Sequence, residues 1–285
     1  MWQWGTRTYV MGIINVTPDS FSDDGVATGL DQGVAERAAA QGRQFVSDGA
    51  DILDIGGEST RPGSRPVTAV EEMTRIIPAI RTIRADMSDV VISVDTYRAD
   101  VAEAALDAGA DWINDVWGLR MDPAMAGLVA ERNCPVVIMH NRSKPKDVDQ
   151  EARLGGRYIG IHYANLIQDI KDELGQQIDL ALSVGVHPEQ IIIDPGIGFG
   201  KTVEQNLELL DRLDEFKTLG FPILSGPSRK SFIGYTLDLP PEQRLEGTAA
   251  AVAISIDRGA DIVRVHDVAA MVRIARMTDA IVRRG

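Results

Sequence analysis

The chain has 285 residues, 44% of them hydrophobic and 25% charged, with a formal net charge of -13 and one cysteine. That composition is globular rather than fibrous or disordered, and the length suits one barrel-sized domain or two small ones. The acidic balance argues against nucleic acid or a membrane surface as a general partner, since both are anionic, and a lone cysteine excludes an internal disulfide. The opening "MWQWGTRTYVMGIINV" has no basic leader or small-residue cleavage site. No stretch approaches the ~18 continuous apolar residues of a membrane span, so a cytoplasmic location is expected.

Buried parallel strands read as short apolar runs. In chain order these are "TYVMGIINV", "ADILDIGG", "VVISVDT", "DWINDV", "PVVIMH", "IIIDPG", "PILSG" and "DIVRVHD". Segments of helical character separate them. Thr68 with Glu71, and Thr202 with Gln205, have the spacing of capping boxes. From Ile159 through Tyr163, Leu166, Ile167, Ile170, Leu174 and Ile178 the apolar positions step by three and four, which predicts one helix filling most of 141–190. Gly49, Gly109 and Gly259 each open a "GAD" triplet before a strand, as the turn from helix to strand requires. Cys134 reads as a small core residue ahead of the fifth strand. Strands alternating with helices imply a parallel sheet, and eight such units imply an α/β fold of the (β/α)8 TIM-barrel type, as a single domain over 1–285. An open doubly wound sheet is the alternative, but no glycine-rich dinucleotide turn follows the first strand.

In such a barrel the chemistry stands at the C-terminal strand ends. There the sequence places Asn15, the segment "GGESTRPGS" with Thr60, Arg61 and Pro62, then Asp95, Asn114, Met139 with His140, Asp194 with Phe199 close behind, Gly226 with Ser228, Arg229 and Lys230, and finally Arg264 and His266. The cations Arg229, Lys230 and Arg264 follow the last two strands, where barrels commonly take phosphate, and predict an anion there. Asp95, Asn114 and Asp194 suit a flat heterocycle with several N–H donors, because a carboxylate accepts two parallel N–H bonds. Each has a plainer role open to it. A strand-end Asp often caps the next helix, although Thr96 or Arg98 would serve after the third strand. Asn114 fits as a satisfied core amide, and Asp54 and Glu58 as partners of Arg61 or Arg65. His140, His162 and His187 are scattered and read as structural. "DPGIGFGKT" fails as a P-loop, since Pro195 stands where its first glycine should, and "GIGFG" is not a dinucleotide fingerprint. "NVT" and "NRS" match glycosylation acceptors that a cytoplasmic chain does not use.

Five segments in order, "MGIINVTPDSFSDDG", "GADILDIGGESTRPG", "DPGIGFGKT", "GPSRKSFIG" and "VRVHDV", resemble the signature blocks of the dihydropteroate synthases of the bacterial folate pathway. The likeness runs from Gly12 to about Asp267 and departs mainly between Asn141 and Gln190. It implies condensation of 6-hydroxymethyl-7,8-dihydropterin diphosphate with 4-aminobenzoate, Mg²⁺ as cofactor and a homodimer, with no nucleic-acid or membrane partner. By the same resemblance Asp95, Asn114, Asp194 and Lys230 hold the pterin, with Met139 and Gly226 lining its pocket. Asn15, Arg264 and His266 take the diphosphate, Asn15 also touching the metal. Thr60, Arg61, Pro62, Phe199 and Ser228 shape the 4-aminobenzoate slot, and the loop after Asn15 becomes a lid. Asn15, Asp95, Lys230, Arg264 and His266 are then the catalytic set. Two alternatives share the Asp/Asn grip: a methyltetrahydrofolate–corrinoid methyltransferase and an inactive pterin-binding paralogue. Neither needs the cations after strands seven and eight.

Overall fold

Each apolar run becomes a strand of one parallel sheet. In the computed structural model, which describes residues 2–17, 32–58, 67–143, 150–151, 157–158 and 162–283, these are β1 (Tyr9–Asn15), β2 (Ile52–Gly56), β3 (Val91–Asp95) and β4 (Trp112–Asp115). They continue with β5 (Val136–Met139), β6 (Ile191–Asp194), β7 (Leu224–Ser225) and β8 (Ile262–Val265). Neighbours pair in the order β6-β5-β4-β3-β2-β1-β8-β7. A parallel bridge between Ile193 and Ile223 joins β6 to β7, where the Ile193 N–H donates to the Pro222 carbonyl at 2.9 Å. The ring is thus a (β/α)8 barrel, as expected, with its thinnest seam between β6 and β7.

Side chains alternate between the two faces of each strand. Leu53, Ile55, Ile92, Val94, Ile138 and Ile193 point outward into the core shared with the helices. Tyr9, Met11, Ile52, Trp112, Val137 and Ile192 point inward and fill the bore near the N-terminal strand ends. Trp2 and Trp4 stack with ring centroids 5.4 Å apart and close that end over Tyr9 and Trp112. Toward the other end the inward positions turn polar, which is where the sequence places the site.

The helices are α1 (Gln32–Ser47), α2 (Ala69–Asp86), α3 (Ala99–Ala108), α4 (Met125–Arg132) and α5 (Leu166–Ser183). They continue with α6 (Val203–Asp211), α7 (Ser231–Leu237), α8 (Leu245–Asp257) and α9 (Val268–Val282). Both expected capping boxes form, on α2 and α6. Gly49, Gly109 and Gly259 adopt φ of 101°, 113° and 97°, left-handed turns that disfavour a side chain. Among the described residues no helix is long and apolar enough to cross a membrane.

Two expectations need correction. The helix predicted from Ile159 begins instead at Leu166, where the Asn165 side chain accepts the Gln168 N–H; Tyr163 is buried but lies before the cap. The segment ahead of it carries a two-stranded antiparallel ribbon, Gln150–Glu151 with Arg157–Tyr158, that apolar spacing does not reveal.

Candidate active site

Asp54 stands in the middle of β2; its plainer reading is a pair with Arg61 or Arg65, both outside the described residues. Its strong partner comes from the far end of the sequence, on the strand one beyond β1. Arg264 of β8 donates Nε to Asp54 at 2.5 Å and Nη2 to Asp95 at 2.6 Å. The Asp54 oxygen that takes Nε also accepts Asn114 Nδ2 at 3.1 Å. Strand parity explains the meeting. Asp54, Asp95, Asn114 and Arg264 are all inward positions, and the register sets Gly56 beside Asp95 and Asp95 beside Asn114. Glu58 pairs elsewhere, with Arg98 at 2.7 Å, and Arg98 also pairs with Glu72.

Burial dominates the ionisation of this lining. It pushes the Asp95 carboxyl up to about 7, against the pull of Arg264 and with help from the like charge of Asp54. Burial likewise raises Asp194 to about 6, opposed by the Gly196 N–H, which donates at 2.7 Å, and then by Lys230. Asp95 does not cap α3: the Ala99 N–H goes to Asp122 at 2.8 Å and Thr96 takes the Arg98 N–H at 3.3 Å.

Just after β8, His266 is tied to Ser228. Its backbone N–H donates to the Ser228 hydroxyl at 3.1 Å, and that hydroxyl sits 3.0 Å from Nδ1. The hydroxyl can give its proton to Nδ1 or accept a second one from it, according to the imidazole tautomer. Burial, reinforced by Arg264, holds the imidazole neutral with a pKa lowered to about 3. Arg229, counted with the anion-binding cations, is instead clamped by Asp267, Nε at 2.9 Å and Nη2 at 2.5 Å. Its positive φ of 56° turns the chain there. Among the described residues the cationic rim is therefore Lys230 and Arg264.

The opposite wall is apolar. Met139, Val116 and Phe199 form a cluster of their own, with Trp117 packed against it. Lys230 Nζ lies over the Phe199 ring, 3.8 Å from its centroid. Phe199 is held by the loop after β6. There the buried Lys201 Nζ, whose pKa burial lowers to about 7, lies within hydrogen-bond distance of His140 Nδ1 (3.1 Å), the Gly196 carbonyl (2.9 Å) and the Phe199 carbonyl (3.0 Å). His140 in turn meets Glu173 at 3.0 Å, and Glu173 meets Arg142 at 2.5 Å. His140 is thus a structural histidine, which burial holds neutral. At Gly196, φ is +76° and an added Cβ would lie 1.9 Å from the His140 carbonyl oxygen, so the turn admits only glycine.

Asn15 ends β1 half-buried, at the register of Gly56. Gly226 follows β7 and has open space before the Arg264 side chain, 3.8 Å from an added Cβ. Asn15, Asp95, Asn114, Met139, Asp194, Gly226, Lys230, Arg264 and His266 all stand at the C-terminal end of the ring, joined by Phe199 and Ser228. Thr60, Arg61 and Pro62, and the lid after Thr17, lie outside the described residues. Sequence reasoning did not assign Asp54, Val116, Trp117 or Lys201. Parity along "ILDIG" is the signal that finds Asp54, because its neighbours Leu53 and Ile55 both point outward. Among the described residues no cluster of three His, Cys, Asp or Glu could hold a metal.

Residues 11–266 match the family model described as "Pterin binding enzyme". The chain is 48% identical to dihydropteroate synthase of Clostridium beijerinckii, across 98% of this chain and 96% of that one. It superposes with a TM-score of 0.89 on the dihydropteroate synthase of Clostridium difficile crystallised with pteroic acid, at 48% identity and full coverage of both chains. The dihydropteroate synthase of Yersinia pestis in a sulfonamide complex gives a TM-score of 0.86 at 37% identity, covering 98% of this chain and 96% of that one. With a barrel whose polar rim gathers the strand-end residues of the five sequence blocks, the chain belongs to the dihydropteroate synthases, transferases of the pterin-binding enzyme family.

Proposed function

We propose that the rim binds 6-hydroxymethyl-7,8-dihydropterin diphosphate across its width and joins the pterin methylene carbon to the amine of 4-aminobenzoate. One bond forms, nitrogen to carbon. One breaks, carbon to oxygen, its electron pair leaving with diphosphate, and the surplus amine proton passes to solvent. An aryl amine is already neutral at pH 7, so the attack needs no strong base. Expelling diphosphate is the difficult part, and fixed positive groups aimed at the departing oxygens lower that barrier.

The roles divide along the rim. Asp95, Asn114, Asp194 and Lys230 hold the pterin edge between the Met139 wall and the open space at Gly226. Arg264 and neutral His266 receive the diphosphate, with Asn15. Phe199 and Ser228 form the inner wall of the 4-aminobenzoate slot, and Thr60, Arg61 and Pro62 its outer one. Carboxylates beside the pterin favour the positive charge that grows on its methylene as the bond to oxygen lengthens.

Mg²⁺ fits this set in a limited way. A hard cation wants oxygen ligands and commonly keeps most of them as water and phosphate; Asn15 offers one half-buried amide oxygen at the diphosphate end. Bound there, the ion would neutralise leaving charge. We further read the chain as one domain working as a homodimer in the cytoplasm, with the lone cysteine buried.

One observation carries the reading: buried acceptors at the ends of β3, β4 and β6 gather on one rim with Arg264 of β8 and His266 just after it, beside an apolar wall. Release of diphosphate from the pterin diphosphate, measured with and without 4-aminobenzoate, tests it. Release that depends on the amine is expected; release indifferent to it, or none, would overturn the assignment.

A further inference from the structure

The Arg264 guanidinium serves two carboxylates that are not equivalent. Asp95 ends its strand at the rim, with 10% of its side chain exposed, whereas Asp54 is wholly buried. The register puts Asp54 two residues below the Gly56–Asp95 level, one inward step deeper in the bore. Its Oδ2 holds both Arg264 Nε and Asn114 Nδ2, while its buried Oδ1 has no partner among the described residues, and neither has the hydroxyl of its register neighbour Ser93. A buried carboxylate that lost its guanidinium would be left nearly uncompensated, at a cost of several kcal/mol. Asp95 has alternatives, because it lies where a ligand reaches it and Lys230 is also near.

From this asymmetry we infer that Asp54 is a positioning residue. It is the standing counter-charge of Arg264, and it leaves Asp95 free to exchange that guanidinium for the N–H groups of the pterin. Asp54 itself touches no substrate. The inference rests on the reading of the rim as a pterin and diphosphate site. Without Asp54, Arg264 would keep a single carboxylate partner, Asp95, and would compete with the pterin for it. Arg264 would also lose the anchor that fixes its height in the bore.

The test is Asp54→Asn, which keeps the shape and removes the charge. Calorimetry with 6-hydroxymethylpterin, which lacks the diphosphate, should show binding at least tenfold weaker at pH 8. At saturating pterin diphosphate the KM for 4-aminobenzoate should stay within twofold of wild type. The groups facing Asp95 are Arg264 of β8, Asp54 of β2, Glu72 of α2 and Lys230 before α7. Removing Asp54 takes away a like charge, so the acid limb of pterin binding should move to lower pH. A residue that only supports the fold would lower the melting temperature and leave both the affinity and the limb of the folded protein unmoved; that result would overturn the inference. If the variant does not fold, nitrogen-15 spectra of the wild-type arginine side chains decide. Titration with 6-hydroxymethylpterin should leave the Arg264 Nε–H signal in place and shift its Nη signals, whereas an Nε–H that moves or gains rapid solvent exchange would count against Asp54. Wild type that fails to bind 6-hydroxymethylpterin would instead defeat the site reading itself.

Discussion

Asp194 is a carboxylate whose usefulness and whose burial pull in opposite directions. As an acceptor for pterin N–H groups it must be ionised, yet burial raises it to about 6, and Asp95 to about 7. Binding of a neutral pterin should therefore weaken as pH falls from 8 through 7 toward 5.5, and calorimetry giving a flat profile would exclude both residues. Asp95→Asn and Asp194→Asn should each lose about 1.5–3 kcal/mol of pterin affinity while affecting 4-aminobenzoate less. For stability the sign reverses. The folded state holds the proton longer than the unfolded chain, so the cost of the buried charge is absent at low pH. It grows as pH climbs past the ordinary value of 3.8 and is complete once pH exceeds the folded pKa of about 6. Asp194→Asn keeps the oxygen that takes the Gly196 N–H, so it should melt no lower than wild type at pH 8, with a flatter dependence on pH. At this scale the sequence was legible wherever a polar residue ends an apolar run. It misled at Asp54 and Arg229, whose partners Arg264 and Asp267 are 210 and 38 residues away. Only ring closure or a folded turn brings such pairs together, and no local pattern announces them.

The strand-to-helix connection from Asp194 to Thr202 shows how one element keeps a wall of the site in place. Lys201 satisfies two loop carbonyls and His140, tying the loop of β6 to the end of β5. Lys201→Met has the right length but leaves those acceptors bare. It should cost about 2–4 kcal/mol, several degrees of melting temperature, together with slack in the Phe199 wall. Thermal unfolding and the KM for 4-aminobenzoate should both move; a melting curve like that of wild type would show Lys201 Nζ to be dispensable. Elements of this kind were only half readable. The cap at Thr202 was visible, because a capping box is a local pattern. The lysine beside it resembled a failed nucleotide motif, since its partners lie on another strand. The start of α5 was misplaced for a related reason: Tyr163 continues the apolar spacing, but its hydroxyl goes to the Gly200 carbonyl at 3.0 Å, in tertiary contact rather than helix.

Seen whole, the barrel is stratified, with an apolar plug at one end of the bore and charge at the other. The fold class was legible because alternation of strand and helix spans the entire chain. The proposed 4-aminobenzoate slot has no local pattern of its own, because Phe199 and Ser228 follow different strands. A sulfonamide copies the aryl amine and should compete for that slot. The segment "ESTRPGSRPV" carries no inserted aromatic, so inhibition should fall in the micromolar range, about -8 kcal/mol. Steady-state titration against varied 4-aminobenzoate checks this, and inhibition that does not weaken as 4-aminobenzoate rises would refute it. The stratification also sorts the tryptophans, of which there are four. Trp2, Trp4 and Trp112 sit together at the closed end, and Trp117 alone packs beside Met139 and Phe199. Intrinsic fluorescence thus carries two signals from opposite poles. A pterin ring absorbs where indole emits and should quench Trp117 far more than the distant trio. Trp117→Phe should abolish that quenching while the emission change on denaturation persists, giving one chain separate optical reporters of occupancy and of folding.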